Sequence, residues 1–182
     1  MPRYLAFLRG INLGKRRVKM ERLREVFEEL DFTNVETFIA SGNVIFDTTS
    51  KKAQTLEAKI EAQVKQTLGF ESATFLRTPA EIQAIVQHQP FPVEDMTAAH
   101  AVHVAFLREP PKRETADRLL ALRTDVDEFH VHGREFFWLC RVSTLDSKVS
   151  ASVLGKACPL MNTTRNLTML RRLAAKYAEG PA

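Results

Sequence analysis

Residues 3–9 (RYLAFLR) form a short apolar run of β type, closed by Gly10 and followed by a polar loop, INLGKRRVK. Met20, Leu23, Val26, Phe27 and Leu30 then return every three or four positions, one face of a helix that stops near Asp31. VETFIA and VIFDT flank Ser41-Gly42-Asn43, small residues that tolerate a tight turn, so the two runs read as an antiparallel hairpin. Leu56, Ile60, Val64 and Leu68 step by four along a second helix, with Gly69 placed to cap its C-terminus. Residues 71–77 (ESATFLR) return to a strand, completing the order βαββαβ of a ferredoxin-like unit. Thr78-Pro79-Ala80-Glu81 supplies an N-cap, a proline at the first helical position and a glutamate at the third, which opens a short helix with Ile82, Ile85 and Val86 inward.

Few periodic apolar positions occupy residues 88–99, which hold Pro90 and Pro92, so we read 1–88 as a first subdomain, 89–100 as a linker and 101–182 as a second subdomain. The order of elements then restarts. Ala-Phe-Leu-Arg at 105–108 matches the same four residues at 6–9, and a helix through Leu119 and Leu122 follows, then a hairpin, EFHVH and EFFWLC, turning at Gly133-Arg134. Shared order and shared sequence indicate an internal duplication. The second copy is expected to end differently: a helix near 147–157, a loop at 159–164, and a last helix bearing Leu167, Leu170, Leu173, Ala174 and Tyr177 in place of the final strand. The fold class expected is α+β, two ferredoxin-like subdomains with a C-terminal helix.

Composition adds a boundary. Of 182 residues, 45% are hydrophobic and 26% charged, near globular averages, which excludes disordered and fibrous classes. No apolar run approaches the roughly 18 residues of a membrane span, and the N-terminus lacks a secretory pattern, so a cytoplasmic location without a membrane partner is expected. Cys140 and Cys158 are too few for a disulfide framework and read as reduced thiols.

Charge changes the picture more. The net charge of +4 hides an uneven distribution: residues 1–24 carry eight basic side chains against Glu21, residues 147–177 carry six basic and no acidic ones, and residues 25–146 carry 12 basic against 20 acidic. If folding joined the two ends they would offer a positive surface to phosphates, nucleotides or acidic partners, although solvated lysines and arginines on helix exteriors account for such counts as well.

Three constellations could use that charge. In Arg9-Gly10-Ile11-Asn12-Leu13-Gly14-Lys15, glycines let backbone N–H groups approach a ligand while Arg9 and Lys15 supply charge; a tight structural turn needs the same glycines. Ser41-Gly42-Asn43 sits at the hairpin tip, where conformation alone favours glycine and asparagine. Thr163-Thr164-Arg165-Asn166 is read as opening the last helix, whose positive dipole end beside Arg165 suits a carboxylate or phosphate, and capping alone explains the threonines. The Walker pattern and a complete GxGxxG are missing, so no cofactor is expected. His130 and His132 share a strand face, but no third ligand stands at motif spacing and no metal is assigned. Ser147-Lys148 reads as a cap and a surface charge, and no catalytic triad can be assigned.

The runs FLRGINLG (7–14), TFIASGNVIF (37–46) and TRN (164–166), with Met20 opening the first helix, resemble the family called domain of unknown function 1697. Arg9, Gly10, Ile11, Asn12 and Gly14 match its first motif, with Lys15 where a second glycine is usual. Thr37, Phe38, Ile39, Ser41, Gly42, Asn43, Val44 and Phe46 match the second. Arg165 and Asn166 match the third, with Leu167 in place of an aromatic residue. The resemblance implies a two-part fold of ferredoxin-like units and no particular activity. It leads us to expect a ligand site formed by Arg9, Gly10, Asn12, Ser41, Gly42, Asn43, Arg165 and Asn166, in a basic cleft between the halves. The ligand class expected first is a small phosphorylated or carboxylated molecule, bound by arginines and oriented by amides. Single-stranded RNA stacked on Tyr4, Phe7 and Phe46 is the second reading, and a protein-interaction module the third.

Overall fold

The computed structural model describes residues 1–177. Contacts divide the chain into two units, Met1–Ala84 together with the segment from Leu173, and Ile85–Arg172.

The first unit runs β1 (Arg3–Leu8), α1 (Met20–Glu28), β2 (Thr33–Thr37), β3 (Asn43–Asp47), α2 (Ala53–Leu68) and β4 (Thr74–Arg77). Its sheet is antiparallel in the order β2-β3-β1-β4, the ferredoxin-like arrangement expected from the element order. Tyr4, Ala6 and Leu8 alternate onto the face covered by Leu23, Val26 and Phe27 of α1 and Leu56, Ile60 and Val64 of α2. Leu5 and Phe7, on the opposite face, are buried too, which is why β1 reads as an unbroken apolar run. Gly69 caps α2 in the left-handed region, φ 77°, as its position predicted. The edge strand β4 has backbone N–H groups outside the ladder, and α2 supplies their acceptors: Glu57 Oε1 takes Leu76 N–H at 2.9 Å and Glu61 Oε1 takes Thr74 N–H at 2.7 Å. Next comes α3 (Pro79–Gln87), opened by a capping box in which Thr78 N–H donates to Glu81 Oε2 and Glu81 N–H donates to Thr78 Oγ1.

The second unit holds α4 (Val93–Ala98), β5 (Ala101–Phe106), α5 (Arg113–Leu120), β6 (Asp127–His132), β7 (Glu135–Cys140), α6 (Ala151–Ala157) and β8 (Thr163–Asn166). Its sheet order, β6-β7-β5-β8, repeats that of the first, and its core gathers Ala105, Leu107, Leu119, Phe129, Phe136 and Val149. This corrects one expectation. The final strand is present as β8, and α7 (Leu167–Tyr177) follows it rather than replacing it, so the second half is a complete βαββαβ unit. Thr163 and Thr164 are β-branched and pair with Phe106 and Ala105, and a strand suits them better than the loop and cap we had read. The duplication extends to register. Arg77 of β4 lies opposite Leu5 of β1, and Arg165 of β8 lies opposite Val104 of β5, with Leu5 and Val104 separated by the same 99 positions as the two Ala-Phe-Leu-Arg runs.

Cys140 and Cys158 are both buried and form no disulfide with each other. Among the described residues no helix is long and apolar enough to cross a membrane.

Candidate functional site

Two of the three motif loops meet at one end of the first sheet. The loop leaving β1 and the loop entering β3 are stitched by backbone and amide bonds: Leu8 N–H donates to Gly42 O at 2.8 Å, and Asn12 Nδ2 donates to Ala40 O at 3.0 Å. Asn12 also folds its own loop, accepting Val18 N–H on Oδ1 at 2.7 Å. Asn43 Nδ2 donates to Phe38 O at 3.0 Å and Ser41 Oγ at 2.8 Å, closing the hairpin tip. In the structure these amides orient the two loops.

Glycine is needed where the loops touch. Gly42 has φ 75°, and a Cβ there would lie 2.9 Å from Ile11 Cγ1 and 3.2 Å from Leu8 O. Gly10, at φ 67°, turns the chain out of β1 so that its carbonyl accepts Arg16 Nη1 at 2.8 Å. Ile39, a β-branched residue at φ 51° and exposed, belongs to the loop entering β3, a backbone outlier of the kind that collects at binding sites.

Arg9 is exposed at the end of β1, and its backbone is tied to the segment before β4 through Arg9 N–H to Ala73 O and Ser72 Oγ to Arg9 O, both 2.8 Å. Beyond it the loop turns back along α2. A groove of about 510 Å³ opens there, lined by Arg16, Arg17, Val18, Lys19, Arg22, Thr67, Leu68 and Phe70. Four of those eight residues are basic and none is acidic. The Arg16 guanidinium lies 3.8 Å from the centre of the Phe70 ring, and Arg17 Nη1 donates to Gly14 O at 2.8 Å. Neither arginine pairs with a carboxylate among the described residues, whereas Arg22 pairs with Glu25 and Glu29. No Asp, Glu, His or Cys occurs in residues 9–19 or 41–43, and these loops offer positive charge and backbone donors.

The third motif belongs to the second unit and is built differently from what its sequence suggested. Arg165 does not stand on the exposed first turn of a helix. Its side chain is buried, with Nη1 donating to Thr163 Oγ1 at 2.8 Å and Thr164 O at 2.9 Å. Burial alone pulls its pKa down to about 10, so the group keeps its proton at neutral pH. Asn166 is the residue that opens α7, accepting Thr168 N–H on Oδ1 at 2.8 Å. Arg77, the counterpart of Arg165 in the first sheet, carries no motif and is missed by sequence reasoning; the strand register, which sets Arg77 opposite Leu5 as it sets Arg165 opposite Val104, is what reveals it.

The remaining candidates resolve into structure. Ser147 Oγ donates to the buried Asp127 and Lys148 pairs with Asp125, so neither forms a nucleophile. Tyr4, Phe7 and Phe46 are all buried and offer no ring face for base stacking. Imidazoles do assemble in the second unit, where His88 joins His130 and His132.

The whole architecture has a precedent among solved structures. The conserved bacterial protein SP0830 from Streptococcus pneumoniae is similar in fold, with a TM-score of 0.71 and 21% identity over 96% of this chain and 97% of that one. No curated protein matches. The model of a family described as protein of unknown function (DUF1697) matches residues 1–137, which takes in both loops at the end of the first sheet and leaves the Arg165-Asn166 motif outside. With that model matching three quarters of its length, the chain belongs to the DUF1697 family.

Proposed function

We propose that this protein binds a small anionic ligand, phosphorylated or carboxylated, on the basic loop that follows β1. The observation that carries the reading is the groove beside α2, where Arg16, Arg17, Lys19 and Arg22 line about 510 Å³ without an acidic neighbour in the lining. Arg16 is braced by the Gly10 carbonyl and the Phe70 ring, so a charge-assisted bond from its remaining N–H groups requires little further ordering. Arg9 extends the positive surface from the end of β1. Gly10, Gly42, Asn12, Ser41 and Asn43 support the site by holding the loop in shape. Arg165 and Asn166 serve the second sheet and the start of α7.

The test is calorimetric titration of the full chain with inorganic phosphate, pyrophosphate, nucleotides, sugar phosphates and coenzyme A esters. At least one is expected to bind with an affinity that falls as salt is raised, and Arg16→Ala with Arg17→Ala is expected to weaken it roughly tenfold or more. Arg165→Ala is expected to lower the melting temperature while leaving the affinity of the folded protein unchanged. If the same hit survives Arg9→Ala, Arg16→Ala and Arg17→Ala intact, the groove is not the site. Loss of affinity in a folded Arg165→Ala variant would make the buried guanidinium a ligand group. Tight, salt-sensitive binding of single-stranded RNA with no small-molecule hit would replace this reading by the nucleic-acid one.

A further inference from the structure

The three imidazoles come from two elements of the second unit. His130 and His132 project from one face of β6 because residues two apart on a strand point the same way. His88 arrives one residue past the end of α3. Its ring stacks on His132 with centroids 3.9 Å apart and lies 5.1 Å from His130, and one ligating atom from each ring falls within 4.8 Å of the others. His88 Nε2 and His130 Nε2 are 3.1 Å apart. A tetrahedral zinc ion with Zn–N bonds of about 2.0–2.1 Å requires nitrogens about 3.3 Å apart, so these two already stand near that separation. Phe137 and Phe91 pack against the rings at 5.4–6.2 Å and hold them from the side.

We propose that His88, His130 and His132 form a binding site for a divalent transition-metal ion of the zinc class, with a fourth coordination position open to water or a small anion. Three neutral nitrogen ligands of this kind suit zinc, copper and nickel, and do not suit magnesium or calcium, which take oxygen. His88 and His130 are half-buried and His132 is exposed, which leaves the cluster accessible. Without a metal, the 3.1 Å contact is satisfied by a single N–H···N bond between neutral rings. Metal binding would replace that bond and draw the His132 nitrogen, which lies within 4.8 Å of the other two, onto the same ion.

The experiment is titration of the tag-free full chain with zinc chloride at neutral pH, with cobalt(II) absorption as a second readout. One equivalent of zinc is expected to bind and raise the melting temperature, and cobalt is expected to give the visible bands of a tetrahedral site. His88→Gln and His132→Gln should each weaken zinc at least tenfold and abolish the cobalt bands. His100→Gln, outside the cluster, should change neither. His132 lies exposed beside the Gly133 turn, so His132→Gln leaves the fold intact and keeps the test decisive if His88→Gln unfolds. Absence of stoichiometric zinc binding at micromolar concentration, or zinc binding that survives His132→Gln at full affinity, would overturn the proposal.

Discussion

At the scale of single residues, one buried polar network lies away from the motif loops. Asp127, fully buried, accepts Thr124 Oγ1 at 2.9 Å, Trp138 Nε1 at 2.9 Å and Ser147 Oγ at 2.7 Å. Removing one partner of such a network leaves the others unpaired at about 1–3 kcal/mol each. Asp127→Ala should therefore destabilise the protein by about 3 kcal/mol in urea denaturation, and because Trp138 is the only tryptophan, its fluorescence should report the change directly. A β-strand rich in aromatic residues was readable from EFFWLC, but the carboxylate that satisfies its indole was not. Sequence separations of 11 and 20 residues do not reveal a shared partner.

At the scale of elements, periodicity sufficed wherever one face of an element met apolar core. The spacing of Leu23, Val26 and Phe27, and of Leu56, Ile60 and Val64, placed α1 and α2, because a helix that buries a stripe must repeat apolar residues at that interval. It failed at β8, whose four residues TTRN bury one threonine and one arginine and carry no apolar signal. Its strand character comes from pairing with β5. The same tertiary demand explains Glu57 and Glu61, which look like solvated helix charges and instead cap the edge of β4. Glu57→Ala leaves the buried Leu76 N–H without this acceptor, so it should cost about 1–3 kcal/mol and speed amide exchange at Leu76, whereas Glu57→Gln, which keeps an oxygen in place, should do less.

At the scale of the whole molecule, carboxylates far apart in sequence make its stability depend on acid. In the first unit, the hydrogen bonds from Arg3, at 2.7 and 3.0 Å, and from Asn34 hold Asp47 below the usual carboxylate range. Hydrogen bonds from Lys176 and Tyr177 of α7 do the same for Glu36 of β2. A carboxyl group whose pKa is lower folded than unfolded stabilises fully above its unfolded value, about 4, and loses that contribution as pH falls through the folded value. The melting temperature should thus fall below about pH 4, and Asp47→Asn should be less stable at neutral pH with a shallower acid decline. Exposed pairs such as Lys65–Glu71 should contribute little to either.

The amino-acid sequence by itself determined that this chain is a duplicated α+β protein of the DUF1697 family, with a first βαββαβ unit and a second that restarts as βαββ, because apolar period and turn residues are local properties and the duplicated Ala-Phe-Leu-Arg run is visible by inspection. It also marked the loops around Arg9 and Ser41 as belonging together. Only the tertiary structure decided what their side chains do: Asn12 and Asn43 spend their amides on backbone carbonyls, Arg165 is folded into a sheet, and Arg16 and Arg17 come to line a groove. It alone brought His88 to His130 and His132. Hydrogen bonds and coordination geometry depend on distances of a few ångströms between residues tens of positions apart, and those distances exist only once the sheets have formed.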